Sequence, residues 1–312
     1  MPRWVLASLA FGVFFPAFAH AESLQDYARK CDAAVGMTVP DFDCDAGSLV
    51  PDTHPNGAMC DRPNVLNKVC DPGSRFQVLA KGAGTSGAVI VAHCRKKGNP
   101  MNQDKYGDIA VIQYNKNNGA TCFYQALQNL DGHVKAPSKG TSAWPWMTPE
   151  HTANIHCGEC HDNGPLIRSP YLAQLAASGA KDVLPGPFNT SSPYKFVGDD
   201  FKSWKAFSVE ISGNTCNDCH RMGVSNMNFN GRNGGDGSGT GREFGVMATA
   251  PSQPSKNPHS ADSPIWMTPG QITFDQGNAD AAKAIHDCAV AFSKGQALPS
   301  GCNVNPFAGA YP

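Results

Sequence analysis

The chain has 312 residues, 41% of them hydrophobic, and carries 25 Lys and Arg against 26 Asp and Glu, for a formal net charge of −1. Near-neutrality leaves no electrostatic footprint for nucleic acid or an anionic membrane surface. The length suffices for two domains with proper cores.

Residues 1–21, MPRWVLASLAFGVFFPAFAHA, combine Arg3, an apolar run from Trp4 to Phe18 and small residues at Ala19 and Ala21. This pattern predicts a cleaved secretory signal, because the run is too short for a membrane span and is interrupted by Gly12 and Pro16. No later segment is apolar for long enough to cross a bilayer, so the expected location is periplasmic or secreted. An exported chain meets an oxidising environment, in which its twelve cysteines would rarely persist as free thiols.

Residues 22–139 hold six cysteines (Cys31, Cys44, Cys60, Cys70, Cys94 and Cys122) and the strongest strand signals. FQVLA, AVIVAHC, DIAVIQYN and ATCFYQAL are rich in β-branched and aromatic residues, and NKNNG at Asn115–Gly119 predicts a hairpin between the last two. This part is predicted to be a disulfide-rich domain around a small antiparallel β-sheet. With Cys288 and Cys302 it supplies eight cysteines, which allow up to four disulfides in 105 connectivities. The local pairings expected are Cys94 with Cys122 and Cys288 with Cys302.

Residues 140–312 change character. Thr148, Pro149 and Glu150 form a helix start, SPYLAQLAASGA at Ser169–Ala180 and NADAAKAIHDCAVAFSKG at Asn278–Gly295 have helical patterns, and Gly295 is a C-cap candidate. Long Gly- and Pro-rich connections lie between them. The expected fold class is therefore α+β, with a mainly α-helical, loop-rich second half. Within it the string C-x-x-C-H occurs twice, as CGECH (Cys157–His161), placed near the end of the first helix, and as CNDCH (Cys216–His220).

Two thiols on one helical turn can add across the vinyl groups of a haem, and the adjoining histidine can then ligate the iron; this string is the attachment signature of c-type haem. A structural zinc site is disfavoured by the 55 residues between the pairs, and a thiol-exchange site by the lack of a βαβ context. On these motifs the chain resembles a di-haem c-type cytochrome over roughly Trp144 to Met267. The resemblance implies two covalently attached haem c groups, with thioether links at Cys157, Cys160, Cys216 and Cys219 and proximal ligands His161 and His220. It also implies a di-haem cytochrome c-like domain over 140–312. Gly164, Pro165 and Leu166 are similar to the Gly-Pro-x-Leu segment of class I cytochromes, in which the proline carbonyl orients the proximal imidazole. They follow their histidine more closely here, and the second motif has no such segment.

The string WMTP occurs at Trp146–Pro149 and again at Trp266–Pro269. Met267, 47 residues beyond His220, is similar in placement to the distal methionine of class I cytochromes. Met247 and Met227 are the next candidates. Between Asp162 and Thr215 there is neither methionine nor histidine, so the first haem must draw any distal ligand from elsewhere. Met147, His151, His156, His259 and His286 are the candidates. The primary expectation is single-electron transfer between periplasmic redox partners. One alternative is a di-haem peroxidase- or oxidase-like enzyme with an open site at the first haem, lined by Tyr171 or Tyr194. Another is a haem-bearing subunit of a larger complex. Arg168, Arg221, Arg232 and Arg242 flank the motifs as candidate propionate partners. Trp144, Trp146 and Trp266 are expected in the core, and the Gly-rich stretch 231–245 as a loop.

Overall fold

The computed structural model of the chain describes residues 22–50, 72–96, 104–139, 145–155, 157–167, 192–216, 221, 223–224 and 276–307. The first element is helix α1 (Leu24–Val35), opened by Ser23, whose Oγ accepts from the Asp26 amide at 3.1 Å, and closed by Gly36 at φ 79°. Tyr27, Ala28, Cys31 and Val35 make its buried stripe. Two short strands, β1 (Phe42–Asp43) and β2 (Ser48–Leu49), follow.

Strands β3 (Arg75–Lys81), β4 (Ala88–Arg95), β5 (Tyr106–Asn115) and β6 (Ala120–Leu130) form an antiparallel meander at the four runs rich in β-branched and aromatic residues. The Asn115–Gly119 turn joins β5 and β6, with the Gly119 amide donating to the Asn115 carbonyl at 2.8 Å. Gly119 sits at φ 77°, and a Cβ there would lie 2.5 Å from the Pro193 carbonyl carbon, so this close approach of backbone requires glycine. Strand β7 (His133–Val134) pairs with β1.

Beyond residue 139 come helices α2 (Pro149–Asn154) and α3 (Cys157–His161), strands β8 (Lys195–Phe196) and β9 (Phe207–Ile211), helix α4 (Gln276–Ser293) and strand β10 (Cys302–Pro306). Strand β8 adds in parallel to β6, completing a six-stranded mixed sheet of order β2-β3-β4-β5-β6-β8. Strands β9 and β10 form a separate antiparallel pair, from Phe207 opposite Pro306 to Ile211 opposite Cys302. Gly295, at φ 62°, ends α4 as its position suggested. Ser169–Ala180 lies outside the described residues.

The expected fold class does not hold. The described architecture is dominated by the six-stranded mixed sheet, and the second half is not a mainly α-helical cytochrome domain. The physical reason is local. Phe207–Ile211 is an alternating β-type run, and Tyr194, Phe196, Phe201 and Trp204 bury against the sheet in one aromatic cluster instead of forming an amphipathic helix. Two of the three described helices in this half are only six and five residues long.

Three disulfides are formed among the described residues: Cys31–Cys122, Cys44–Cys94 and Cys288–Cys302. The last matches expectation, whereas the Cys94–Cys122 pairing does not. β4 and β6 flank β5, so these cysteines are separated by about two strand spacings, roughly 10 Å, beyond the ~7 Å reach of a disulfide. Cys122 instead ties the sheet to α1, and Cys94 ties it to the turn after β1. Three disulfides fit a chain that folds in an oxidising compartment. Among the described residues no helix is long and apolar enough to cross a membrane.

Candidate functional site

The first C-x-x-C-H is a helix of its own. Helix α2 begins as predicted, with the Thr148 hydroxyl accepting from the His151 amide at 3.2 Å and Pro149 in its first turn. It stops at Asn154, and α3 contains only Cys157 to His161. Against the backbone of Gly158 lies the ring of Trp204, so close that a Cβ would come within 2.7 Å of it. The Tyr194 hydroxyl donates to the His161 carbonyl at 2.6 Å, and the Phe207 amide donates to the Asp162 carbonyl at 2.7 Å.

The His161 ring packs on Phe123 of β6, with centroids 5.1 Å apart. Its Nδ1 lies 2.9 Å from the Pro165 carbonyl oxygen. A carbonyl only accepts, so Nδ1 carries the proton and the lone pair is on Nε2. Burial pushes the imidazole pKa down to about 4, outweighing the opposing effect of the Pro165 bond, while Arg95 lowers it further. The ring is neutral at neutral pH and can ligate a metal through Nε2. The contact that the resemblance assigns to Pro165 is thus present despite the shorter spacing.

Cys157 is a thiol. Burial, reinforced by the charge of Asp108 and opposed by Arg95, pushes its pKa up to about 12. It is therefore protonated and weakly nucleophilic at neutral pH, unlike the activated thiol of an exchange catalyst. Arg95 and Asp108 pair with each other at 2.5 Å on neighbouring strands. Cys216, like Cys157, is not in a disulfide, so neither C-x-x-C pair is closed on itself. The other cysteines with described side chains are all in disulfides; the thiols left over are the first cysteines of the two motifs.

The second motif starts on a different core. Val209, Val224, Ala282, Ile285, Cys288 and Cys302 cluster where α4 crosses the β9–β10 pair, and Cys216 packs against them. Asn214 holds this start in place: its Nδ2 donates to the Ala281 carbonyl of α4 at 2.7 Å, and its Oδ1 accepts from the Cys216 amide at 3.1 Å.

The segments that follow the two motifs meet. Asp162 and Asn163, directly after His161, are each 1% exposed, and Arg221, directly after His220 in sequence, is 0% exposed. Arg221 Nη1 donates at 2.8 Å to both the carbonyl and the Oδ1 of Asn163. The Val224 amide donates to Asp162 Oδ1 at 2.7 Å. These three bonds join chain positions about 60 residues apart and fasten the residues that follow one motif to residues that follow the other.

No family model, curated protein or solved structure matches the chain. Among the described residues no group of three or more His, Cys, Asp or Glu is arranged to hold a metal ion. Of the expected site residues, Cys157 and His161 share α3 with Cys160, and Cys216 opens the second motif. Cys219, His220, Met267, Met247, Met227, His156 and His259 lie outside the described residues, as do Tyr171, Arg168, Arg232, Arg242, Trp144, Trp266 and the stretch 231–245. Met147 is half-buried at the edge of β6, its amide donating to the Gln125 carbonyl at 2.8 Å, and His151 is exposed. Trp146 is in the core as expected, and its indole N–H donates to the Lys135 carbonyl. Arg221, one of the candidate propionate partners, is buried and donates to Asn163. Tyr194 is fully buried against His161. Sequence reasoning missed Phe123, Asp162, Asn163 and Trp204. Only Asp162 and Asn163 carried a signal, being polar residues in a short run fixed between His161 and Gly164.

Proposed function

We propose that this chain is an exported di-haem c-type cytochrome that transfers single electrons between periplasmic redox partners. Cys157 and Cys160 would hold one haem with His161 as proximal ligand, and Cys216 and Cys219 the other with His220. Met267 is the candidate distal ligand of the second. When bound, each haem supplies an iron that cycles between ferric and ferrous states. The reading is carried by one observation: four residues after the free thiol of Cys157, on the same short helix, His161 is held by Pro165 in the tautomer that leaves Nε2 to a metal. The joined segments after the two motifs support a protein in which both sites belong to one unit. The first motif rests on the mixed sheet and the start of the second on the core of α4 with the β9–β10 pair, and neither is a helical cytochrome c domain.

The chain's own residues have separable tasks in this reading. Pro165 orients the imidazole, Phe123 and Trp204 exclude water from its flank, and Asn163 with Arg221 fixes one site relative to the other. The test is expression of the full chain in a host that attaches haem to C-x-x-C-H. The expected result is haem-dependent peroxidase staining after denaturing electrophoresis and two haem additions by mass spectrometry. A Cys216→Ala, Cys219→Ala variant should retain one. A colourless chain, or an undiminished haem count in that variant, would sink the reading.

A further inference from the structure

The first motif has its thiols and an oriented imidazole, but the sequence from Asp162 to Thr215 contains no methionine or histidine. The sheet supplies a histidine from the other direction. Side chains alternate along β4, so Val91, His93 and Arg95 share one face while Cys94 lies on the other. The register carries that first face across the sheet: Val91 is opposite Ile112, His93 opposite Ala110 and Arg95 opposite Asp108. Ile112 is in turn opposite Phe123, and Ala110 opposite Gln125. The reverse face is occupied by α1, to which Cys122 is bonded.

The face with His93 is the one the first motif covers. The Phe123 ring meets that of His161, and the Arg95–Asp108 pair acts on the Cys157 thiol. Arg95 also acts on both His161 and His93. From the register, His93 stands two strands from Gln125, roughly 10 Å, and Phe123 is about 7 Å further along β6 on the same face. Between them Ala110 and Ile112 are partly exposed, as is Val78 of β3, which leaves an apolar floor that is not fully covered. The edge of Phe76 packs on the His93 ring at 5.9 Å.

We propose that His93 is the second axial ligand of the haem held by Cys157, Cys160 and His161, so that this iron is coordinated by two histidines. The inference rests on the haem reading above. Its occupant of the apolar floor is the macrocycle tethered at Cys157, and an iron filled on both sides by imidazole is six-coordinate and low-spin.

The test is paramagnetic resonance of the ferric di-haem protein, with haem content confirmed by mass. In the wild type the first haem should be low-spin. His93→Ala should retain both haems and convert one to a high-spin signal, which added imidazole returns to low-spin. Met147→Ala should leave it low-spin. If His93→Ala does not fold, His93→Met decides: one haem should gain sulfur-to-iron charge-transfer absorption and a higher midpoint potential. A high-spin first haem in the wild type, an unchanged spectrum in His93→Ala, or conversion in Met147→Ala overturns the assignment while the haem reading stands. No gain of either signal in His93→Met does the same. A wild-type chain without haem overturns both.

Discussion

The bond between Asn163 and Arg221 can be tested without reference to any cofactor. Asn163→Ala removes the side-chain acceptor that Arg221 Nη1 meets, on a fully buried guanidinium, and leaves the backbone carbonyl in place. A hydrogen bond to a charged group contributes about 1.5–3 kcal/mol, so the variant should be destabilised by about 2 kcal/mol. Arg221→Met removes the charge and both bonds. It strands the buried Asn163 oxygens but also removes the desolvation penalty of the guanidinium, which is several kcal/mol in its own right. The two variants should therefore not add. In a double-mutant cycle the Asn163 substitution should cost little once Arg221 is methionine, giving a coupling energy of about 1.5–2.5 kcal/mol. The assay is urea unfolding followed by far-ultraviolet circular dichroism. With a slope of about 3 kcal/mol/M, the midpoint of Asn163→Ala should fall by about 0.7 M. Additivity within about 0.5 kcal/mol would show that the contact does not join the two segments energetically.

Three further outcomes follow from the geometry. Gly158→Ala drives a methyl group into Trp204 and should cost about 1–3 kcal/mol, with Trp204→Leu relieving the loss; equal urea midpoints for Gly158→Ala and wild type would contradict the packing. Replacing Cys288 and Cys302 together by serine opens a loop of sequence separation 14 and should destabilise by about 3 kcal/mol, measured by calorimetry, whereas an unchanged transition would mean the α4 core does not depend on the bond. Burial raises the phenol pKa values of Tyr27, Tyr124 and Tyr194 above the unfolded value of about 10. Above that pH the unfolded chain releases protons that the folded chain still binds, so stability is intact below pH 10 and falls as pH rises past it. Ultraviolet titration should show these tyrosines ionising only with unfolding, and reversible ionisation near pH 10 with circular dichroism intact would refute their burial.

What could be read from the sequence was what neighbours in the chain decide. The β-branched and aromatic residues of AVIVAHC and DIAVIQYN and the turn at Asn115–Gly119 locate three strands and a hairpin without knowledge of the rest. Cys288–Cys302 and the Pro165 contact to His161 also span short stretches. The Ser23 cap, the spacing of Tyr27, Cys31 and Val35, and Gly36 were equally local signals for α1, and they were outweighed by the cysteines and turn residues around them. The parallel pairing of β8 with β6 was not legible, because two residues make no pattern and their partner is some 75 positions away. Nor was the place of Arg221: an arginine beside a C-x-x-C-H string reads as a surface charge until the fold buries it.

A five-residue helix has almost no stability of its own, since nucleation consumes more conformational freedom than so few hydrogen bonds restore. The shape of CGECH must then be imposed from outside, and the sources are identifiable. Trp204 lies on Gly158, Tyr194 takes the His161 carbonyl, Phe207 takes that of Asp162, and Phe123 flanks the imidazole. Each belongs to the sheet, to a strand, or to the aromatic cluster packed on them. Orienting an imidazole and shielding a thiol do not require a helical bundle; they require rigid neighbours on three sides, and a disulfide-tied sheet supplies them. The first residue of the second motif is also placed by its neighbours, with Asn214 anchored to α4 and Cys216 set against a core closed by Cys288–Cys302. The bonds of Asp162 and Asn163 to Val224 and Arg221 then tie the residues just after the first motif to residues just after the second.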